Sequence, residues 1–202
     1  VYAQTVYNGQ LIAGGAFRNA GGVIANRIAR WTGSTWQAFG SGGGANNPVS
    51  ALTVYNDYLV AGGSFTAIGN TDANGIARWN GSSWQPLGGG LLADEYGSVG
   101  NIYALTVFNG DLIAGGLFVS AGDTDANNIA RWNGSTWQAL GSGVNGYVSA
   151  LTVYDGKLIA GGDFTTAGGL GAHHIAGWDG SNWRSMGTGI SSIQLNPGPG
   201  TR

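Results

Sequence analysis

The segment Thr5–Trp36 returns three times, as Thr53–Trp84, Thr106–Trp137 and Thr152–Trp183, each copy 32 residues long and free of insertions. Fifteen of the 32 positions are identical in all four copies. The copies begin 48, 53 and 46 residues apart, so every difference in length falls in the connection after the second Trp. A rigid unit joined by tolerant connections has this signature, and any fold proposed for the chain must repeat with it. The units run over about 1–43, 44–98, 99–146 and 147–190, leaving 191–202 as a partial strand and flexible tail.

Each unit reads as four short strands, A to D. In the fourth copy Val148–Tyr154 alternates as strand A, Leu158–Phe164 is strand B, Ile175–Trp178 strand C and Trp183–Met186 strand D. Tight hairpins join A to B at Asn8-Gly9, Asn109-Gly110 and Asp155-Gly156, and C to D at Asn80-Gly81, Asn133-Gly134 and Asp179-Gly180. Such pairs accept the positive φ angles of the primed turns that suit twisted antiparallel strands. Between B and C lies a longer Gly-rich loop, as in Ala20-Gly21-Gly22.

Strand B carries a Gly pair in every copy: Gly14-Gly15, Gly62-Gly63, Gly115-Gly116 and Gly161-Gly162. Glycine weakens an isolated strand, so its repetition predicts that a backbone or a Trp ring presses close there. The two Trp residues of each unit flank the C–D turn, placed to pack across the hairpin or against the next sheet. A four-stranded sheet cannot bury both of its faces alone. Stacking several such sheets around an axis solves that, which predicts an all-β, propeller-type array of four antiparallel four-stranded blades.

The order of alternating strand, turn, apolar strand ending in Gly-Gly, loop, aromatic strand, turn and Trp resembles the kelch repeat. Here it reads ALTVYDGKLIAGGDF and then HIAGWDGSNW. The kelch period is also about 50 residues. The chain is similar to kelch-like repeats of secreted bacterial surface proteins and of the fungal cortical polarity-marker family. That resemblance implies a β-propeller and leaves function open, because such propellers range from adaptors to an oxidase. The oxidase's copper chemistry needs a cysteine, and this chain has none.

Whether four units close a ring is a separate question. Ile190–Gly198 aligns with the strand A segment VSALTVYDG and reads as a decayed fifth strand A. It could latch a four-bladed ring, begin a further blade, or leave two chains to combine their blades. Four is the lower end of the usual range, which favours a larger ring completed by more chain or by a second copy.

Composition narrows the functional classes. Forty Gly residues stand beside a 43% hydrophobic fraction and eight Trp, a combination that disordered Gly-rich chains lack. Charged residues make up 9% of the chain and the net charge is −2, so no basic stripe is available for DNA or RNA. No apolar run reaches membrane-spanning length, and VYAQTVYNG does not read as a signal peptide. The lack of cysteine removes thiol catalysis and Cys-based metal sites. Few charges with many Asn, Ser and Thr point to an extracellular or cell-surface setting.

Candidate chemistry is sparse. Asn70–Gly75 matches the first half of an EF-hand loop and Asp123–Asn127 nearly does, making Asp72 and Asp125 weak metal candidates. The twelfth positions, however, are Gly81 and Gly134, and an Asx-rich turn explains both segments. His173 and His174 are adjacent, which on an extended strand sends the two rings to opposite faces. Arg30, Arg78 and Arg131 recur at one strand C position, replaced by Gly177 in the fourth copy; bonds to backbone carbonyls that fix neighbouring sheets are the expectation. Gly33–Trp36 and Gly134–Trp137 echo the end of a sialidase Asp-box whose Ser and Asp are missing. Paired carboxylates for glycoside hydrolysis would have to come from Asp94, Glu95, Asp111 or Asp163, and no nucleophilic triad is visible. Asn80-Gly81-Ser82 and Asn133-Gly134-Ser135 are glycosylation sequons on turns.

The expectation is therefore a module without catalysis or cofactor, binding a protein or glycan on a surface through its variable connections. It includes no nucleic-acid partner and no membrane insertion, and allows a homo-oligomer that closes the ring. Contacts are expected at Asp94, Glu95 and Tyr96 in the Leu91–Asn101 connection and at Tyr147 in the equivalent one. A lectin with repeated sites between blades is the alternative.

Overall fold

The computed structural model describes residues 1–40 and 43–190, and these form strands and turns with no helix. The first unit holds β1 (Ala3–Tyr7), β2 (Gln10–Gly14), β3 (Asn19–Ala20), β4 (Val23–Ile24), β5 (Ile28–Trp31) and β6 (Trp36–Ala38). The second holds β7 (Val49–Tyr55), β8 (Tyr58–Gly63), β9 (Ala67–Ile68), β10 (Thr71–Asp72), β11 (Ile76–Trp79) and β12 (Trp84–Pro86), followed by β13 (Leu91–Leu92). The third holds β14 (Asn101–Phe108), β15 (Asp111–Leu117), β16 (Ser120–Ala121), β17 (Thr124–Asp125), β18 (Ile129–Trp132) and β19 (Trp137–Ala139). The fourth holds β20 (Val148–Tyr154), β21 (Lys157–Gly162), β22 (Thr166–Ala167), β23 (Leu170–Gly171), β24 (Ile175–Trp178) and β25 (Trp183–Ser185). Four antiparallel four-stranded sheets result, β1-β2-β5-β6, β7-β8-β11-β12, β14-β15-β18-β19 and β20-β21-β24-β25, each in the order A-B-C-D.

Two details depart from the sequence reading. The A–B turns have positive φ at both central residues, including Asn56 and Asp57, as a type I′ hairpin requires. The C–D turns do not: only their glycines have positive φ, between 97° and 104°. There Asn80, Asn133 and Asp179 act through their side-chain oxygens, each accepting the two N–H groups that follow in the turn. In addition, the B–C connection is no open loop. Each copy folds into a two-residue ribbon, β3/β4, β9/β10, β16/β17 or β22/β23, that lies over the second Trp of its unit. A Cβ on Gly69 would stand 3.2 Å from the Trp84 ring, and Thr71 Oγ1 donates to Trp84 O at 2.9 Å.

The core lies between units, not within them. Ile12, Ile28 and Phe39 of the first unit pack with Leu59, Ala61, Trp79 and Trp84 of the second. Val60, Ile76 and Leu87 meet Leu112, Ala114, Trp132 and Trp137 in the next layer, and Phe108, Ile113, Ile129 and Leu140 meet Leu158, Ala160, Trp178 and Trp183 in the last. Strand B is apolar at consecutive positions because its two faces belong to two different cores.

The Gly pairs serve this stacking. A Cβ on Gly14, Gly62 or Gly115 would stand 2.6–2.7 Å from a methyl of Val49, Ile102 or Val148, the strand A residue of the following unit. The second glycine faces a backbone carbonyl at the start of its own strand A: Pro48 for Gly63, Asn101 for Gly116, Tyr147 for Gly162. Trp rings do not touch these pairs. They close instead on Gly40, Gly88 and Gly141 of the preceding unit, while Trp137 and Trp183 donate Nε1–H to Leu87 O and Leu140 O at 3.0 and 2.8 Å. Within a unit the two Trp stand opposite each other across the hairpin, with ring centroids 5.4–5.5 Å apart.

The first sheet packs on the second, the second on the third and the third on the fourth. Among the described residues no hydrogen bond or ion pair joins the first unit to the fourth. Among the described residues two sheet faces are thus left without a neighbouring unit. The expected start of a fifth strand A at Ile190 is corrected: Ile190 donates its N–H to His173 O, the bond that Ala45, Leu91 and Val144 make to Asn26, Asn74 and Asn127. Ile190 therefore belongs to the connection after strand D. The remainder of that segment lies outside the described residues.

Candidate functional site

The sheets have two ends. One carries the A–B and C–D turns, which are short and repeat closely. The other carries the B–C ribbons and the D–A connections, where all variation in length is concentrated. Every residue expected to make contacts lies at this second end.

Connections here stitch consecutive units together. Asn46 Oδ1 accepts the N–H groups of Thr66 and Ala67, and Asn145 Oδ1 those of Thr165 and Thr166. In the second connection β13 replaces this bracket by pairing with β16. Beyond β13 the chain turns back on itself, with Leu92 bridging Val99 and Ala93 N–H bonded to Ser98 O. Asp94 is spent on that turn: its carboxylate accepts the N–H groups of Tyr96 at 3.0 Å and Ser98 at 2.9 Å. Hydrogen bonds from Ser98, hydroxyl and then backbone, hold it below the usual carboxylate range. Glu95 and Tyr96 are left at the tip, Tyr96 at 88% exposure.

Tyr147 has a different neighbour. It stands edge-on to Tyr103, with centroids 5.9 Å apart and both side chains well exposed. Tyr103 was not legible as a site residue because its position alternates, Tyr2 and Tyr103 in the odd units and Ser50 and Ser149 in the even ones; in the last three units a β-bulge near the start of strand A turns this residue outward. Next to Tyr147, His174 Nδ1 lies 3.1 Å from Gly162 O and 3.6 Å from Asp163 Oδ1. His174 sits at a left-handed position, φ 64°, shared with Arg27, Gly75 and Asn128, and neither it nor His173 lies in a strand. A backbone site held fixed while its side chain runs through Arg, Gly, Asn and His is a place where units differ chemically on one scaffold.

The metal candidates do not converge. Asp72 ends β10 and Asp125 ends β17, each exposed on a ribbon, and among the described residues no three His, Asp or Glu side chains gather around one point. The arginine expectation is corrected. Sheet carbonyls are already occupied by the ladders, so the guanidinium groups turn to side chains of their own unit. Arg78 donates to Gln85 Oε1 at 3.2 Å and lies 4.8 Å above the Tyr58 ring; Arg131 reaches Asp111 Oδ2 at 3.5 Å; Arg30 lies over Phe39 at 5.9 Å. Asp111 and Asp163 stand at opposite ends of their sheets, which separates two of the carboxylates considered for glycoside chemistry.

Two clefts between units match position by position. One is lined by Gly40, Asn70, Ser82 and Ser83 around Trp79 and Trp84. The other is lined by Gly88, Asp123, Ser135 and Thr136 around Trp132 and Trp137. These Trp rings are 4–7% exposed, so they offer edges to a ligand and no open face. A separate groove of about 440 Å³ beside the first D–A connection is lined by Arg18, Arg27 and Asn46.

Comparison of the chain with protein-family models and with curated proteins gives no match in either.

Proposed function

We propose that the four sheets are kelch-like propeller blades and that the chain is a non-catalytic binding module of a secreted or surface protein. Its ligand, a protein or a glycan, is met at the connection end. One observation carries this reading. In the second and third units the aromatic residues repeated in every unit are packed in the cores between sheets, whereas Tyr96 and Tyr147, which have no aromatic counterpart in another unit, and Tyr103, matched only by Tyr2, stand exposed at the connection end. Exposed tyrosines on a rigid scaffold supply contact area at little conformational cost. The test is retention of the labelled chain on an array of purified extracellular-matrix proteins and glycans, set against a Tyr96→Ala/Tyr103→Ala/Tyr147→Ala variant. Loss of retention with an unchanged melting temperature supports the reading. Retention that survives the three substitutions, or no retention on any member, counts against it.

The two equivalent clefts favour the lectin alternative, since each offers Asn or Asp with Ser and Thr hydroxyls at the edge of a Trp pair. Asn70→Ala and Asp123→Ala together would then abolish glycan binding, and each alone would reduce avidity.

A further inference from the structure

The array exposes half of its own repeated interface at each end, and the halves are complementary. On the leading face of the first unit Leu11 is 37% exposed, whereas Leu59, Leu112 and Leu158 at the same position are fully buried. Trp31 and Trp36 are half-buried where the six later Trp are between 3% and 8% exposed. On the trailing face of the fourth unit Met186 is 37% exposed, against 1–2% for Phe39, Leu87 and Leu140. Tyr154 is 69% exposed, against 7% and 6% for Tyr55 and Phe108. Gly161 and Gly187 meet nothing nearer than His174 O at 3.8 Å, while their equivalents are covered by the next unit's strand A and Trp ring.

We infer that a second copy of this chain is the neighbour these faces fit, docking head to tail. The geometry within the chain fixes each contact. Trp31 of one copy closes on Gly187 of the other, as Trp132 closes on Gly88. Trp36 donates its Nε1–H to Met186 O, as Trp137 does to Leu87 O. Tyr154 reaches Trp31 O, as Tyr55 reaches Trp132 O at 3.5 Å. Val1, at the position of Val49, enters the space above Gly161. Each copy has one face of each kind, so two copies satisfy all four faces and give eight sheets, within the range that propellers reach.

Sedimentation equilibrium of the 202-residue chain tests it. The expected mass is twice the 20.5 kDa of one chain, falling to one chain on dilution. Leu11→Arg on the leading face and Met186→Arg on the trailing face each bury a charge only in the docked pair, and each raises the dissociation constant roughly tenfold or more. Gly161→Val acts similarly by filling the space for Val1. All three leave the melting temperature of the dilute single chain unchanged. An equimolar mixture of Leu11→Arg and Met186→Arg regains one undisturbed interface and associates more tightly than either variant alone. A single-chain mass at every concentration overturns the inference, as does a dimer indifferent to these substitutions or a mixture no tighter than its components.

Discussion

Gly62→Ala is the most informative single substitution for the stacking of units. The new methyl would stand 2.7 Å from Ile102 Cγ2 and 3.2 Å from Ile102 Cβ and Leu105 Cδ1, all belonging to the third unit. Gly62 has no positive φ, so alanine meets no backbone penalty. Ile102 is fully buried in the next core and has no room to retreat. Overpacking of this kind costs about 1–3 kcal/mol, offset by roughly 0.4–1 kcal/mol from the stiffer unfolded chain. The net loss is about 1–2 kcal/mol, which for a chain of this size lowers Tm by roughly 2–8 °C. Gly171→Ala is the control, since its Cβ meets nothing within 4 Å, and it is expected to be neutral or slightly stabilising. Calorimetry of both, with Ile102→Ala and the double variant, completes the cycle. The alanine methyl fills part of the cavity left by Ile102, so the double variant loses less than the sum, by about 1 kcal/mol. A Gly62→Ala melt equal to that of Gly171→Ala, or strict additivity with Ile102→Ala, would show that the second and third units do not meet as described.

Trp137→Phe and Trp183→Phe each strand a buried carbonyl, Leu87 O or Leu140 O, whereas Trp84 Nε1 has no partner among the described residues. Chemical denaturation is therefore expected to show Trp84→Phe as the mildest of the three by about 1 kcal/mol. The Asp94 carboxyl is held down by its loop, so its contribution is present above the ordinary aspartate range and disappears as pH falls through its lowered folded value. Amide exchange at Tyr96 and Ser98 is expected to accelerate at that acidic end, and Asp94→Ala to remove the protection at every pH. Arg131→Gln, which breaks a partly exposed pair with Asp111, is expected to change stability by less than about 1 kcal/mol in thermal melts.

Much of the fold was legible because repetition exposes physical constraint. Gly62 and Gly115 persist in copies whose neighbouring side chains change, which marks a backbone position where a Cβ has no place. The Trp spacing is equally telling, since strand C, a short turn and strand D put Trp79 opposite Trp84 by register alone. The B–C ribbons were missed because two-residue strands such as Thr71–Asp72 carry no periodicity, and their stability comes from a Trp farther along the chain, whose ring lies beneath the ribbon and whose carbonyl accepts the ribbon's own Thr hydroxyl. The arginine partners were missed for a related reason. Tyr58 and Asp111 occupy equivalent strand B positions beside Arg78 and Arg131, but they differ in chemistry and so do not show as a repeat. Of the expected contact residues, Glu95 and Tyr96 stand at an exposed tip. Asp94 turned inward because an aspartate two residues before a free N–H caps its own turn more readily than it waits for a ligand. Tyr147 gained a partner, Tyr103, that only the bulge could reveal.

The fold is held together by cores formed between consecutive repeat units. Methyl-resolved NOE spectroscopy on the folded chain reads those cores directly. The Ile102 γ2 methyl is expected to show cross-peaks to the Gly62 α protons, and the Val49 and Val148 γ1 methyls to those of Gly14 and Gly115. Methyl groups that report only to residues of their own unit would contradict this packing.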